Sequence, residues 1–309
     1  MNNVAVIIPC YNVEGYIFEC LDSVKKQGDI VSEIYCVDNN STDDTLTVIN
    51  TWISINPDVR IKVLKEFEKG ACAARNKPLN LITSDWIQFL DADDLLLEGK
   101  ISQQINNSDN SDIIYDSFIK RLVTGEDINI TPQDNILIGL MKGDLGNTCA
   151  NLWDTKAIKR VGGWNEEITS SQEYDLMMRM YKEGASFQKL NTFKTVIRQR
   201  EFGQISQGNP ELRWENYTSI RVDFFNSTIA NSNDRFIINE SMQLLFRAIQ
   251  LLFYSNSTLA IKLHNEHLST LNFKPKTSTL KSQLYLIVYL TLGFRVAENI
   301  RNLTIRKRI

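Results

Sequence analysis

Three carboxylates that follow an apolar segment are the residues of this sequence best suited to chemistry. Residues 86–90 (Trp-Ile-Gln-Phe-Leu) have the composition of a buried strand, and Asp91, Asp93 and Asp94 come directly after it. On an extended backbone Asp91 and Asp93 point to the same side, where a divalent cation could bridge their oxygens to phosphate oxygens. The spacing predicts a metal-diphosphate site. An isolated Asp-x-Asp also fits a solvated acidic turn before a helix from Leu97, with Asp94 as its cap.

Strands and helices alternate four times up to this acidic run. The strand-like segments are residues 4–8, 33–37, 61–64 and 86–90, and the helix-like segments are residues 14–27, a segment that ends at Ile55, and residues 70–81. We expect Ser41 and Asp44 to form a capping box for the second helix. The alternation is typical of a parallel sheet with helices on its faces, whose carboxyl edge binds ligands. The Rossmann and Walker phosphate loops are both missing from the sequence.

The order of elements changes after residue 103. We expect a fifth strand at residues 112–115, a hairpin or irregular excursion at 116–131, and helices at 134–142, from Thr155 to the glycines 162–163, and at 173–184. Strand signals vanish beyond residue 205, where the helix-like segments are residues 211–230, 234–255, 258–270 and 279–302. The sequence therefore predicts an α/β domain of residues 1–204 followed by an all-helical region of residues 205–309.

The composition is that of a soluble globular protein, with 43% hydrophobic residues, 23% charged residues and a net charge of −3. Neither a nucleic-acid-binding nor a disordered chain is indicated. The charge is divided unevenly, because residues from 205 onward carry 13 Lys/Arg and 7 Asp/Glu whereas residues 1–204 carry 21 and 30. The two regions are therefore expected to have different partners or roles.

The cysteines indicate a reducing compartment. All five lie in the first half without a Cys-x-x-Cys spacing, and free thiols fit this distribution better than disulfides or a zinc site. The sequence has neither a signal-peptide pattern nor a run of about 18 apolar residues. We therefore expect a cytoplasmic protein.

Five short motifs occur in an order typical of one enzyme family. They are Ile8-Pro-Cys-Tyr-Asn12, Val37-Asp-Asn-Asn-Ser-Thr-Asp43, Gly70-Ala-Cys-Ala-Ala-Arg-Asn76, Leu90-Asp-Ala-Asp-Asp94 and Gln172-Glu-Tyr-Asp-Leu176. Over residues 3–200 the chain resembles the family-two glycosyltransferases of bacterial polysaccharide synthesis, which are inverting enzymes with the GT-A fold. The resemblance implies a mostly parallel central sheet flanked by helices and a nucleotide-sugar donor.

The resemblance assigns the nucleotide to the loops after the first two strands. Pro9, Tyr11 and Glu14 would bind it, with Tyr11 packed on the base, and Asp38-Asn39 would hold the base and ribose. The family commonly has Asp-Asp where this chain has Asp38-Asn39. An amide can pair with uracil and also with thymine, so uridine is favoured only modestly over deoxythymidine.

Asp91 and Asp93 match the metal-binding motif of the family, with Asp93 as the direct ligand and Asp91 nearer the ribose. Mn²⁺ or Mg²⁺ would be held by these carboxylates together with the donor phosphates, and would neutralise charge on the departing nucleoside diphosphate. Arg75 matches an arginine on the base or phosphate side, with an exposed helix arginine as the alternative.

Inversion requires a general base that takes a proton from the acceptor hydroxyl. Alignment on Asp175-Leu176 and Arg179 places Glu173 at the base position of the family, where an aspartate is usual, and leaves Asp175 as a rival. Either residue could instead be a carboxylate stabilised by a helix N-terminus, which lowers the pKa and makes a poorer base.

Three further side chains have two interpretations each. Trp164 matches an aromatic residue near the acceptor, or it is a core tryptophan. Arg198 and Arg200 precede a loop that contains Gly203, and they could clamp the diphosphate or form salt bridges with the acidic domain.

The C-terminal residues 280–309 combine an apolar segment, residues 284–294, with five basic residues that follow it. A helix that lies in the membrane interface with its basic residues on anionic headgroups fits this pattern. A buried helix that packs on the catalytic domain or forms a homodimer fits the apolar part equally well.

The sequence thus predicts a metal-dependent hexosyl- or N-acetylhexosaminyl-transferase that uses a UDP-sugar and a glycan or lipid-linked acceptor. It would work in the cytoplasm or at the inner face of the cell membrane. One alternative is a non-catalytic nucleotide- or glycan-binding relative, motivated by Asn39 and Glu173. Another is a sugar-nucleotide nucleotidyltransferase, which requires a Gly-rich loop after the first strand. Donor sugar, acceptor and linkage depend on pocket contacts rather than on the fold.

Overall fold

The computed structural model describes residues 3–200 and 209–306 and divides into two compact units. Unit 1 comprises Met1–Ile168 and Gln172–Gln204, and unit 2 comprises Thr169–Ser171 and Ile205–Ile309. The loop around Gly203 lies outside the described residues. Whether the two units are independent domains stays a prediction.

The strands in the described part of unit 1 form two sheets. The strands are β1 (Val4–Cys10), β2 (Val31–Asp38), β3 (Ile61–Lys65), β4 (Trp86–Phe89), β5 (Leu95–Leu96), β6 (Ile113–Asp116), β7 (Phe118–Arg121), β8 (Asp127–Ile130), β9 (Leu152–Asp154), β10 (Phe187–Leu190) and β11 (Thr195–Arg198). The larger sheet has the order β10-β6-β9-β4-β1-β2-β3, and the smaller sheet has the order β5-β11-β7-β8. The site residues therefore come from strands that are neighbours in space.

The larger sheet is mostly parallel and is flanked by helices, as predicted. Strands β3, β2, β1 and β4 form one parallel block, β6 and β10 form another, and β9 joins the blocks by antiparallel pairing with β4 and β6. The helices of unit 1 are α1 (Ile17–Lys25), α2 (Thr45–Ile55), α3 (Ala71–Asn76), α4 (Lys100–Asn106), α5 (Ile136–Lys142), α6 (Thr155–Arg160) and α7 (Gln172–Lys182). The predicted α/β class is confirmed.

Strand β1 occupies the middle of its block and is buried on both faces. Val6 and Ile8 belong to the main apolar cluster together with Trp52 of α2, and Ile7 on the opposite face is equally buried. Burial on both faces is typical of a parallel strand between helical layers. Ile7 pairs with Tyr35 of β2 and Phe89 of β4, so the carboxyl ends of all three strands lie side by side.

The helix expected from Leu97 begins instead at Lys100. The short strand β5 comes first, and Gly99 then adopts a left-handed backbone (φ 71°) at the N-cap of α4. Asp94 therefore does not cap this helix. Its Oδ1 accepts the backbone N–H of Arg198 at 2.9 Å and so ties the acidic run to the smaller sheet.

The capping box expected at Ser41 and Asp44 is also wrong. Helix α2 begins at Thr45, whose backbone N–H donates to Asp43 Oδ1 at 3.1 Å. The Ser41 hydroxyl instead accepts the backbone N–H of Asn12 at 3.2 Å. Residues 41–45 thus serve the contact between two loops rather than the helix alone.

Strands β7 and β8 confirm the hairpin alternative for residues 116–131. Strands β5, β9 and β10 were not predicted. Each has only two to four residues, which is too few for an apolar alternation to stand out.

Unit 2 is helical, and the predicted all-helical region is confirmed. Its helices are α8 (Pro210–Phe224), which continues into a π-helical segment (Phe225–Ile229), α9 (Arg235–Phe253), α10 (Ser257–His267) and α11 (Leu280–Arg306). Side chains of Asn209, Asp234 and Asn256 cap α8, α9 and α10. Helix α11 is kinked at Gly293 (φ 82°, ψ 171°). Among the described residues, no helix has the length and apolar character needed to cross a bilayer.

Candidate active site

The loops after β1 and β2 are fastened to each other. Asn12, with a left-handed backbone (φ 51°), accepts the backbone N–H of Thr42 through Oδ1 at 2.8 Å. The Glu14 carboxylate accepts the backbone N–H of Asp44 at 2.8 Å, and the Glu14 N–H donates to Asp43 at 3.1 Å. Glu14, expected to bind nucleotide, is thus engaged in holding the two loops together.

Tyr11 lies at the carboxyl edge of the sheet with 61% of its side chain exposed. Pro9 lies within β1 opposite Val37, and the neighbouring pair is Cys10 with Asp38 at the end of β2. Asp38 is buried and accepts the backbone N–H of Ser41 at 3.2 Å. The exposed ring of Tyr11 has a face available for stacking on a planar base.

The Asn39 amide holds a loop rather than facing open space. Its Nδ2 donates to the carbonyls of Glu66 at 2.9 Å and Glu68 at 2.6 Å, and its Oδ1 accepts the backbone N–H of Gly70 at 2.9 Å. Both amide hydrogens are therefore used within the protein. This arrangement leaves no donor for uracil, and it explains why an amide replaces the commoner aspartate, since a carboxylate cannot donate to two carbonyls.

Arg75 and Asp91 form a partly buried ion pair at the end of β4. Arg75 Nη2 lies 2.7 Å from Asp91 Oδ1, and the side chains are 5% and 39% exposed respectively. The Asp91 carboxylate is therefore the group of this pair that can reach a ligand. The buried Arg75 guanidinium orients that carboxylate. Arg75 thus positions Asp91 in this structure, and its direct contact with base or phosphate stays a prediction.

Trp164 is a core residue. Its side chain is 2% exposed and packs edge-to-face on Phe89 with a centroid distance of 5.1 Å, while Arg75 Cζ lies 4.6 Å from the ring centroid. The indole therefore supports Arg75 from inside the protein. The interpretation of Trp164 as a face for an acceptor sugar does not fit this placement.

The segment that carries Trp164 is held by Asn76 of α3. Asn76 Oδ1 accepts the backbone N–H of Trp164 at 2.8 Å, and its Nδ2 donates to the carbonyl of the same residue at 2.8 Å. Gly163 is needed here, because its φ is 77° and a Cβ atom would lie 2.6 Å from Asn76 Oδ1. Asn76, the last residue of the Gly70–Asn76 motif, thus fixes Trp164, the ring on which Arg75 packs.

The three carboxylates of the acidic run have different surroundings. Asp91 pairs with Arg75, Asp93 Oδ2 lies 2.6 Å from Arg200 Nε, and Asp94 is buried behind them. Burial and the neighbouring charges of Asp91 and Asp93 raise the pKa of Asp94 well above its ordinary value. A cation at this point would offset that accumulation of negative charge.

Asp91, Asp94 and Cys149 each offer one ligand atom, and these atoms lie within 4.8 Å of one another. Burial raises the pKa of the Cys149 thiol, which therefore stays neutral and is a poor ligand for a hard ion. The carboxylate oxygens fit Mg²⁺ or Mn²⁺ completed by phosphates and water. This grouping contains Asp94 and not Asp93, whose carboxylate is paired with Arg200. The assignment of Asp93 as a metal ligand stays a prediction.

Tyr16 supports two arginines at the end of β11, Arg198 within the strand and Arg200 just after it. Arg200 Cζ lies 4.3 Å and Arg198 Cζ 5.3 Å from the centroid of the Tyr16 ring. Arg198 also lies 2.6 Å from Glu19 through Nη1, and its Nε donates to the backbone carbonyl of Asp93. Salt bridging to the acidic domain, one of the two interpretations of these arginines, describes this arrangement.

Glu173 lies at the start of α7 in a partly buried polar pocket. Its carboxylate accepts the Thr148 hydroxyl at 3.1 Å and the Asn151 amide at 3.3 Å. Burial raises the pKa of Glu173 to about 7, although the Thr148 hydrogen bond and the Arg75 charge oppose the shift. A carboxyl with this pKa is suited to accept a proton near neutral pH.

Asp175 is engaged in structure. Its Oδ2 accepts Arg179 Nε at 2.8 Å, and Arg179 donates its remaining groups to the carbonyls of Val161 and Gly163 at 2.8 and 2.9 Å. The pair therefore braces the turn before Trp164. Glu173 is the better placed of the two candidate bases.

Thr148, Asn151 and Tyr16 were not identified from the sequence as site residues. Thr148 and Asn151 belong to the polar segment before β9, which has no strand-like or motif signal. Tyr16 fits the apolar spacing of α1 and so looked like a core residue. In the structure Tyr16 reaches the acidic run through Arg200, and Thr148 and Asn151 contact the Glu173 carboxylate.

The comparison with known families agrees with this geometry. Residues 5–157 match the model described as glycosyl transferase family 2. The chain belongs to this family. The matched segment includes the loops after β1 and β2, α3 and the acidic run, whereas Glu173 lies beyond it.

Curated relatives are similar to parts of this family-2 chain. A PGL/p-HBAD biosynthesis glycosyltransferase of Mycobacterium bovis is 34% identical over 123 residues, which are 38% of this chain and 47% of the relative. The Escherichia coli enzyme WfaP, a UDP-Glc:alpha-D-GlcNAc-diphosphoundecaprenol beta-1,3-glucosyltransferase, is 28% identical over 64% of this chain and 78% of its own length. The chain thus spans about half the length of the mycobacterial relative.

Solved structures show the same fold. Staphylococcus aureus TarS 1-349 in complex with UDP-GlcNAc matches with a TM-score of 0.61 and 21% identity over 84% of this chain and 75% of that chain. The mannosyltransferase PcManGT from Pyrobaculum calidifontis, in complex with GDP-Man and Mn²⁺, matches with a TM-score of 0.56 and 19% identity over 97% of this chain and 87% of that chain. The predicted GT-A fold is confirmed.

Proposed function

We propose that this protein is an inverting glycosyltransferase that moves a sugar from a UDP-sugar to a hydroxyl of a growing glycan. The observation that carries the proposal is the Glu173 carboxylate, whose pKa burial raises to about 7, within the electrostatic reach of Arg75 and Asp91. A proton acceptor beside an acidic diphosphate site is what such a transfer requires.

The donor would lie across the carboxyl ends of β1, β2 and β4. Tyr11 would stack on the base, Asp38 would face the ribose, and Asp91 would face the diphosphate from its support on Arg75. Because the Asn39 hydrogens are used internally, the preference for uridine rests on other contacts of the base. Uridine is supported by the donors named for WfaP and TarS.

Asp91 with Asp94, or with Asp93 once it is released from Arg200, would hold Mn²⁺ or Mg²⁺ in the presence of the donor. The ion supplies positive charge to the departing diphosphate. The PcManGT structure, which contains Mn²⁺, supports a divalent metal in this fold.

Glu173 would take the proton of the acceptor hydroxyl as its oxygen attacks the anomeric carbon. The bond from that carbon to the diphosphate oxygen breaks on the opposite face, and its electron pair leaves with UDP. Thr148 and Asn151 orient the Glu173 carboxylate through their hydrogen bonds. Inversion follows from a single displacement.

The acceptor is proposed to be a glycan carried on a lipid at the cytoplasmic face of the cell membrane. The diphosphoundecaprenol acceptor named for WfaP supports a lipid-linked substrate. Five buried free thiols support a reducing compartment.

The test is a donor screen with purified protein, Mn²⁺ and a set of UDP-, dTDP- and GDP-sugars, with nucleotide release and the anomeric configuration of the product as readouts. We expect release of UDP, loss of transfer in Glu173→Gln, and a β-linkage from an α-linked donor. Tight UDP binding without turnover for any donor or acceptor would instead identify a non-catalytic relative. Release of pyrophosphate from UTP and a sugar phosphate would indicate a nucleotidyltransferase.

A further inference from the structure

Helix α11 exposes a row of large apolar side chains along one side. The row, here called the α11 stripe, consists of Leu280, Leu284, Ile287, Leu290, Leu292, Val296, Ile300 and Leu303, which are 36–73% exposed. Most neighbours in the row are three or four residues apart, which places them on one side of the helix. This holds separately for the segment before and the segment after the kink at Gly293. A continuous apolar row of this length is uncommon on a free protein surface.

The opposite side of α11 already holds the helix in unit 2. Tyr289, Phe294 and Ala297 are buried, Phe294 stacks on His264 at a centroid distance of 4.2 Å, and the Tyr289 hydroxyl lies 2.9 Å from His264 Nε2. Phe294 also contacts Phe246 of α9. The α11 stripe is therefore presented on a packed helix and is not needed to attach it.

The charges beside the stripe are cationic. Lys281 and Arg295 are exposed on the described part of α11. Glu298 is the only acidic residue in the sequence from 280 to 309, and it is fully buried, where it accepts Tyr285 Oη at 2.5 Å and Gln250 Nε2 at 2.6 Å. The exposed surface of α11 is thus apolar and basic.

We infer that the α11 stripe lies in the interface of an anionic lipid bilayer, with the helix parallel to the membrane plane. The leucine and isoleucine side chains would enter the boundary of the acyl chains, and Lys281 and Arg295 would contact headgroup phosphates. The kink at Gly293 divides the helix into two segments, each of which presents its own part of the stripe. The inference concerns a lipid surface and stands or fails independently of the transfer reaction.

The charge pattern favours a membrane over a second copy of the chain. In a symmetric dimer the same patch meets itself, so Lys281 and Arg295 would lie near cationic residues of the other copy. No acidic side chain of α11 is exposed to compensate, because Glu298 is buried. An anionic bilayer pairs with the same charges and covers the same apolar side chains.

The experiment is sedimentation of the full chain with vesicles of phosphatidylcholine alone and with vesicles of phosphatidylcholine and phosphatidylglycerol in equal parts. We expect binding to the anionic vesicles that weakens with added salt, and little binding to the neutral ones. The combined variant Leu284→Gln, Ile287→Gln and Leu290→Gln should weaken binding at least about tenfold, because three membrane-facing side chains become polar.

The matched control is Phe236→Gln with Leu271→Gln, two side chains of unit 2 that are as exposed as the stripe residues but lie outside α11. This control should bind vesicles like the wild type, and circular dichroism should show both variants folded. The variant Lys281→Gln with Arg295→Gln leaves the apolar stripe intact and should weaken binding to anionic vesicles roughly tenfold or more.

Wild-type protein that fails to bind anionic vesicles would overturn the inference. Equal binding by the stripe variant would do the same. A dimer in analytical ultracentrifugation that the stripe variant abolishes, without vesicle binding by the wild type, would assign the α11 stripe to a second copy. None of these results depends on transfer to a soluble acceptor, which tests the proposed function separately.

Discussion

Arg200 Nε lies 2.6 Å from Asp93 Oδ2. The guanidinium is thus paired with the carboxylate that the family resemblance assigns to a metal ion. The Arg200 side chain is supported there by the ring of Tyr16. A carboxylate paired in this way is less available to a divalent cation. Direct coordination of the metal by Asp93 would therefore require Arg200 to release this carboxylate.

We expect Arg200→Gln to bind Mn²⁺ more tightly in the absence of nucleotide. The removal of a competing positive charge at contact distance should raise the affinity roughly three- to tenfold at low salt. Electron paramagnetic resonance of free Mn²⁺ gives the affinity directly. Lys62→Gln is the control, since its ion pair with Glu33 joins β3 to the amino-terminal half of β2, whereas the acidic run follows the end of β4. Unchanged Mn²⁺ affinity in Arg200→Gln would contradict the competition.

The pH dependence of transfer should report the Glu173 carboxyl. A general base must be deprotonated, and burial raises the pKa of Glu173 to about 7. The rate at saturating donor should therefore fall about tenfold per pH unit below pH 7 and level off above it. Glu173→Gln should lose about 10²- to 10⁴-fold in rate together with this dependence. A profile that is flat between pH 5 and pH 7 would remove Glu173 from the base position.

The same carboxyl should make stability depend on pH. Its pKa is higher in the folded state than in the unfolded chain, so the folded state holds the extra proton and loses stability as pH rises from about 4.5 to about 7. Glu173→Gln lacks this loss and can keep both hydrogen bonds, because the Thr148 hydroxyl can also accept. We expect its melting temperature to match the wild type at pH 4.5 and to exceed it at pH 8. Equal melting temperatures at both pH values would show that the carboxyl is not shifted.

Asn39→Asp restores the commoner family residue and should nevertheless destabilise this protein. A carboxylate would face the carbonyls of Glu66 and Glu68 without a hydrogen to donate. The loss should be about 1–3 kcal/mol in urea unfolding, the range for buried groups left unpaired. Asn40→Asp is the comparison, because the Asn40 amide makes longer bonds of 3.1 and 3.3 Å and its loss should cost less. A neutral Asn39→Asp would mean that the loop is not held by this amide.

Gly163→Ala and Gly162→Ala form a matched pair that tests how closely Asn76 packs on the segment carrying Trp164, the ring against Arg75. Both glycines have a left-handed backbone, with φ of 77° and 78°, so both variants carry a similar backbone cost of about 1–2 kcal/mol. Only at Gly163 would the new methyl group lie 2.6 Å from Asn76 Oδ1. Gly163→Ala should therefore be the less stable variant and bind UDP more weakly. Equal unfolding midpoints would show that the contact with Asn76 relaxes freely.

The sequence predicted the strands that carry the candidate site residues. It also predicted that these residues lie at the carboxyl edge of the sheet. Apolar runs such as those of β1 and β4 end at polar residues, and parallel strands bring those ends together. This reasoning placed Tyr11, Asp38 and Asp91 at one edge without any knowledge of their contacts. Periodicity and chain order are enough for that level of description.

The contacts that decide roles were not predictable, because they join residues far apart in the chain. Asn39 bonds to carbonyls 27 and 29 residues away, and Asn76 holds Trp164 across 88 residues. Lys100 is a further example, since it reads as a surface helix residue yet is fully buried, with its Nζ donating to Gln88, and burial lowers its pKa to about 7. Residue type alone does not distinguish an amide or amine that binds a ligand from one whose hydrogen bonds are all made inside the protein.

Strand β9 also bears on how the chain is made. It joins the parallel block that ends in β4 to the block of β6 and β10. A nascent chain that has not yet released residues 152–154 from the ribosome has a β4 with one unpaired edge, and such an edge is a template for pairing with other chains. Synthesis of this short segment closes that edge, so stalling before it should favour aggregation more than stalling after it.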